Sequence, residues 1–195
     1  MDPLSQGTVG AAFAQSVANK NNIFKIGVIG SLAGLAPDLD VLIQSSTDPI
    51  LFLEYHRQFT HSLFFIPFGS LIVALVLFPF VKNSMSIKTV YFASLLGYAT
   101  HGLLDACTSY GTQLFWPFSN ARVTWNNISI VDPLFTIPVL ILVVIAIKTK
   151  KKIFSFISIG WIIFYLSLGF IQYERALLVA VELTRLRGHN PERLT

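Results

Sequence analysis

The run 62-SLFFIPFGSLIVALVLFPFV-81 decides the fold, because it contains no charged residue. Wound as a helix at 1.5 Å per residue, it is about 30 Å long, the thickness of a bilayer's hydrocarbon core. Residues 153–173 (IFSFISIGWIIFYLSLGFIQY) form a second run as clean. A third, 128–147, holds Asp132 near its start, and a fourth, about 89–108, carries the polar stretch 97-GYATHGLLDACTSYG-111. Composition agrees: the 195 residues are 53% hydrophobic and 12% charged, with 17 phenylalanines. A soluble domain carries about twice that share of charge. The chain reads as an integral membrane protein.

The N-terminal third is less regular. Residues 23–43 are apolar but include Pro37, Asp38 and Asp40, and residues 7–18 are too short to cross a bilayer alone, reading as a half-length or tilted helix. Residues 44–60 are polar, with a turn signal at Asp48-Pro49. The 109–127 connection is rich in turn formers, and its Trp116, Phe118 and Trp125 suit a membrane interface. Residues 174–195 read as an amphipathic helix ending near Gly188, with Pro191 preventing its return, lying on the outer membrane surface. The predicted architecture is all-α: a polytopic bundle of five or six transmembrane helices over residues 1–173, followed by that amphipathic helix and tail.

Charge placement sets the orientation. Lys20 and Lys25, Lys82 and Lys88, and Lys148, Lys150, Lys151 and Lys152 fall in three alternate connections, which the positive-inside rule places in the cytoplasm. Arg175, Arg185, Arg187 and Arg193 pull the other way and are outvoted. The net charge of +4 is distributed by topology and does not call for nucleic acid. A secretory signal is not evident, since the first lysine follows the first weakly apolar stretch. The single cysteine, Cys107, excludes an intrachain disulfide and a CxxC metal site, and reads as a small buried residue.

That threading brings Asp38, Asp40, His56, His61, His101, Asp105 and Asp132 to one level, opposite the lysines. An ionised aspartate near the centre of a membrane helix costs roughly 2.5–3.5 kcal/mol, so such groups face a cavity, pair together or bind something. A divalent cation satisfies several at once, neutralising carboxylates and taking imidazole lone pairs. In HGLLD, His101 and Asp105 lie one helical turn apart on one face. In PDLD, Pro37 starts a new turn; if the following residues are extended, Asp38 and Asp40 point the same way. In HRQFTH, the separation of His56 and His61 puts them on different faces of a regular helix. One of them then serves as ligand and the other as a supporting or acid–base group, with Arg57 placed to hold an anionic oxygen. Each motif alone has a plain structural reading: a helix pair for HxxxD, a cap for DxD, a helix start for Asp132-Pro133. His189 reads as a turn residue. The coincidence of motifs favours a metal.

Taken together, MDPLSQG, GSLAGLAPDLDVL, HRQFTHSLFF, HGLLDACTSYGTQLFWPFS and ISIVDPLFTIP resemble the YdjM-like membrane-bound metal-dependent hydrolases, in order from about residue 1 to residue 190. The resemblance implies a multi-helix inner-membrane protein with a hydrolase site, which the lysine threading turns to the extracytoplasmic side. Asp38, Asp40, His56, His61, His101 and Asp105 match the family's polar motifs. The chain departs from many relatives in carrying Gln6 where they have His, and in stopping earlier. The His/Asp mixture is also similar to zinc-dependent phospholipase C and P1-type nucleases, which points to phosphoester substrates.

The resulting expectation is a hydrolase of a lipid or lipid-linked phosphoester, using one or more divalent cations, most naturally Zn²⁺. Asp38, Asp40, His61, His101 and Asp105 are the metal ligands; His56 and Arg57 are the catalytic side groups. A proton-coupled transporter and a non-enzymatic assembly or headgroup-binding protein are the alternatives.

Overall fold

In a computed structural model the chain is all-helical: among the described residues the only β feature is an isolated bridge between Thr112 and Val123. The structure describes residues 1–188 apart from Ser46, Pro49 and Ile50, and leaves out the side chains of Phe52 and Leu53. The Asp48-Pro49 turn and the readings of His189 and Pro191 fall on or across residues outside that range.

The helices are α1 (Pro3–Gln15), α2 (Ile23–Leu35), the short α3 (Leu51–Tyr55), α4 (Ile66–Val81), α5 (Ile87–Ala106), α6 (Pro133–Thr149) and α7 (Ile153–Leu186). Two 3-10 turns, Ala36–Leu42 and Phe59–His61, carry the polar motifs. Helix α1 begins with an Asp2 side-chain cap on the Ser5 amide at 3.0 Å and Pro3 in its first turn.

Helix α1 is the centre of the bundle. It packs against α2, α5, α6 and α7, and from Ser5 to Ala12 every residue is buried. Its small residues make this possible, because backbones approach where no side chain intervenes. A Cβ on Gly30 of α2 would lie 2.3 Å from the Ala14 Cβ and 2.5 Å from the Gly10 carbonyl oxygen. A Cβ on Gly97 of α5 would lie 2.2 Å from the Gly30 carbonyl oxygen. Three helices therefore meet through Gly10, Gly30 and Gly97 with no room for a methyl group.

The outside is apolar. Phe68, Leu71, Ile72, Leu75, Val76 and Phe80 of α4 are exposed, and so are Phe156, Ile157, Ile163 and Phe164 of α7. Contiguous apolar surface on this scale needs a lipid or protein partner. Among the described residues one helix, Ile153–Leu186, is long and apolar enough to cross a membrane by itself; Ile66–Val81 and Pro133–Thr149 are apolar but shorter.

The C-terminal segment differs from the expected break after residue 173. Helix α7 runs uninterrupted for 34 residues, so the last apolar run and the amphipathic tail form one rod. After Gly169 the sequence to Leu186 contains no glycine or proline to stop it. It ends at Arg187, with Gly188 in the left-handed region at φ 72°.

Candidate metal centre

Pro37 sets the first part of the site. It follows α2 directly, and the chain tightens into the 3-10 turn Ala36–Leu42 instead of extending. Asp38 and Asp40 therefore keep carboxylate oxygens near each other but meet different partners. Asp38 faces His61 and His101, whereas Asp40 turns back towards His56, Arg57 and Thr60.

The HRQFTH stretch is not a regular helix. Helix α3 ends at Tyr55, Arg57 adopts φ 62°, and a second 3-10 turn delivers His61 inward. The 109–127 connection straps this segment down: the Gln113 amide donates to the Arg57 carbonyl at 3.0 Å, and the Leu63 amide to the Leu114 carbonyl at 2.9 Å. The Arg122 guanidinium adds bonds to the carbonyls of His56 and Gly111. Helix α5 supplies His101 and Asp105 from adjacent turns, both fully buried.

Four atoms converge. His61 Nε2 and His101 Nε2 lie 2.9 Å apart. Asp38 Oδ1 is 3.4 Å from the first and 3.3 Å from the second. Asp105 Oδ2 is 3.3 Å from His61 Nε2 and 3.6 Å from His101 Nε2. Ligand atoms at 2.0–2.2 Å around a tetrahedral zinc ion stand about 3.3–3.6 Å from one another. The four histidine–aspartate distances already match that spacing, and the imidazole pair is closer.

Hydrogen bonding shows what the pocket lacks. His101 Nδ1 is 2.5 Å from the Gly34 carbonyl, which only accepts, so Nδ1 carries the proton and Nε2 presents its lone pair. His61 Nδ1 is 2.9 Å from Thr60 Oγ1, whose hydroxyl donates to Asp40 Oδ2 at 2.9 Å; His61 Nδ1 is again the donor. The His101 Nε2 lone pair thus faces His61 Nε2, which offers its own lone pair only after giving up a proton. Asp105 Oδ2 lies 3.3 Å from Arg57 Nε but accepts no hydrogen bond. A buried carboxylate oxygen that accepts no hydrogen bond, beside the His101 lone pair, fits a cation. Burial pushes the His61 imidazole down, but contacts with Asp105, Asp38 and Asp40 outweigh it and hold its pKa up at about 10.

Around the four, the remaining residues brace them. Asp40 accepts from the Arg57 amide and Thr60 on Oδ2, and meets His56 Nδ1 at 2.8 Å on Oδ1. It stands behind His61, with Oδ2 3.3 Å from His61 Nδ1, and with Asp38 and His56 it also forms a second group of side chains close enough to share a cation. Gln6 Nε2 donates to Asp105 Oδ1 at 2.9 Å, and the Met1 amino group pairs with the same oxygen. Arg57 turns inward: Nη1 donates to Thr108 Oγ1 at 3.2 Å, and its guanidinium lies 5.0 Å from the Tyr110 ring centre. Asp38 and His56 alone keep about a quarter of their side chains exposed, at 29% and 26%, and form the mouth. Asp132 stands apart, capping α6 and accepting from Tyr165 at 2.9 Å. His101 and Asp105 are legible as a pair from helical periodicity; Thr60 lies inside the HRQFTH motif but carries no signal of its own.

The geometry defines an all-helical protein with a buried His/Asp cluster competent to hold a metal ion. The chain belongs to the YdjM inner membrane protein family, which its residues 1–176 match. It is also similar to the uncharacterized protein YfhP of Bacillus subtilis (strain 168), 32% identical over 107 residues. That alignment covers 54% of this chain and 32% of the relative, so the shared part is about a third of the relative's length. No solved structure matches.

Proposed function

We propose that the protein is a polytopic membrane-bound metal-dependent hydrolase that cleaves a phosphoester of a lipid or lipid-linked substrate. The observation that carries this reading is the approach of His61 Nε2, His101 Nε2, Asp38 Oδ1 and Asp105 Oδ2 at near-tetrahedral spacing. These four residues hold the cation, zinc being the ion that suits two imidazoles and two carboxylates in a tight cage. Bound there, it supplies Lewis acidity, polarising a scissile ester and acidifying water.

The chain's own groups do the rest. Asp40 orients both His61, through Thr60, and His56, through Nδ1. His56 at the mouth is thereby aligned for proton transfer. Arg57 places positive charge beside Asp105, where a phosphoryl oxygen entering the site is stabilised. The mouth turn also carries Leu39 and Leu42, both strongly exposed, a surface suited to headgroup depth. Helices α4 to α7 cross or enter the bilayer, with α1 and α2 filling the bundle between them. The metal end faces away from the cytoplasm and the lysine connections towards it.

Elemental analysis of the detergent-purified protein, followed by a screen of phospholipid and lipid-linked phosphoesters with and without chelator, tests the reading. About one equivalent of zinc and chelator-sensitive phosphate release are expected. Metal-free protein that gains no zinc on dialysis rejects the site; bound zinc without hydrolysis of any phosphoester rejects the activity and favours a headgroup-binding role.

A further inference from the structure

At the opposite end of the bundle lies a second, unrelated feature. Helix α1 starts beside the metal cluster and runs away from it; α5 runs towards it from Lys88. The α1–α2 and α6–α7 connections therefore meet at the far end. Between them is a concavity of about 330 Å³ lined by Lys20, Lys150, Lys151 and Lys152, together with Asn19. No Asp or Glu occurs between Asp2 and Asp38 or between Asp132 and Glu174, so neither connection brings a carboxylate to these amines. Among the described residues no lysine makes an ion pair with an acid.

Two further observations bear on what would sit there. The lysines gather where α2 and α7 begin, and neither helix has a side-chain cap or an acidic residue in its first turn. Cations at a helix start oppose the helix dipole, an arrangement that an anion relieves. The pocket also has an apolar wall: Ile23 and the half-exposed Ile153 line it, and the exposed Phe156 and Ile157 continue from it along α7. A soluble anion would use the amines alone. An amphiphile with an anionic head uses both.

We infer that this pocket binds the phosphate headgroup of an anionic phospholipid, with its acyl chains lying along the exposed face of α7. The inference is independent of the hydrolase reading, since it involves no residue of the metal centre.

The test is lipid retention by the full chain in mild detergent, read by native mass spectrometry after addition of dioleoyl phosphatidylglycerol, tetraoleoyl cardiolipin or dioleoyl phosphatidylcholine. The wild type should retain the anionic lipids at least tenfold more than phosphatidylcholine. A variant with Lys20→Gln, Lys150→Gln, Lys151→Gln and Lys152→Gln should lose that preference, and the matching Lys→Arg variant should keep it. Lys82→Gln with Lys88→Gln, at the same end but outside the pocket, should retain lipid as the wild type does. Unchanged helix content by circular dichroism and a single elution peak in detergent check that each variant is folded. Equal loss in the Lys82/Lys88 variant would reduce the effect to general surface charge and overturn the site. Saturation by inorganic phosphate without lipid retention, or equal retention of phosphatidylcholine, would overturn it too.

Discussion

Gly102 lies directly against the backbone of His61: a Cβ on residue 102 would stand 2.2 Å from the His61 carbonyl oxygen. The glycine that follows one proposed ligand on α5 thus fixes how closely the turn carrying the other can approach. Gly102→Ala is expected to push the His61 turn outward and lower zinc affinity at least tenfold, with helix content unchanged. Equilibrium zinc titration beside circular dichroism reads both, and unchanged affinity removes Gly102 from the design of the site.

Removing the ligand atoms should separate them from the residues behind them. His61→Ala, His101→Ala and Asp105→Asn are each expected to abolish stoichiometric zinc. Asp40→Asn should leave a site weakened by about 10- to 100-fold, the usual effect of losing a group that orients a ligand. Metal content after dialysis at graded zinc distinguishes the classes. Full zinc loss in Asp40→Asn would make Asp40 a ligand in its own right.

Metal binding should release a proton. The His61 imidazole keeps its proton up to about pH 10 while no metal is bound, and a zinc ligand must give it up. Affinity therefore rises with pH below that value, by about tenfold per unit for one displaced proton. Calorimetry at pH 7.5 in buffers of different ionisation enthalpy should find about one proton released per zinc ion. None released would mean that His61 is not displaced from its protonated form.

The glycine junction should matter to stability rather than to metal affinity per site. A methyl at Gly30 meets both the Ala14 Cβ and the Gly10 carbonyl, so Gly30→Ala forces α1 and α2 apart. Overpacking of this kind costs typically about 1–3 kcal/mol. A lowered melting temperature in detergent is expected, and an unshifted one would show that the bundle adjusts freely.

How much of this could be read from the sequence differs by element. The helices α4 and α6 follow from uninterrupted apolar runs, and the HGLLD pair follows from helical periodicity, because both signals are local. The central position of α1 was not legible: 7-GTVGAAFAQSVA-18 is weakly apolar, and what makes it core is the absence of side-chain volume opposite Gly30 and Gly34. The different partners of Asp38 and Asp40 depend on whether the chain after Pro37 extends or tightens, which the local sequence does not decide. The join between the last apolar run and the tail was hidden by composition, since a polarity change at residue 174 does not break a helix. Thr60 was missed because its role arises only when Asp40 reaches it from twenty residues earlier.

The burial of α1 has a consequence for biogenesis. Its neighbours include α6 and α7, which emerge from the ribosome more than a hundred residues later. The first helix can pack on α2 and α5 as they are made, but the side facing α6 and α7 stays uncovered until those helices follow. The core is therefore completed only after α6 and α7 are made, and truncating the chain before α6 should leave one side of its opening helix uncovered.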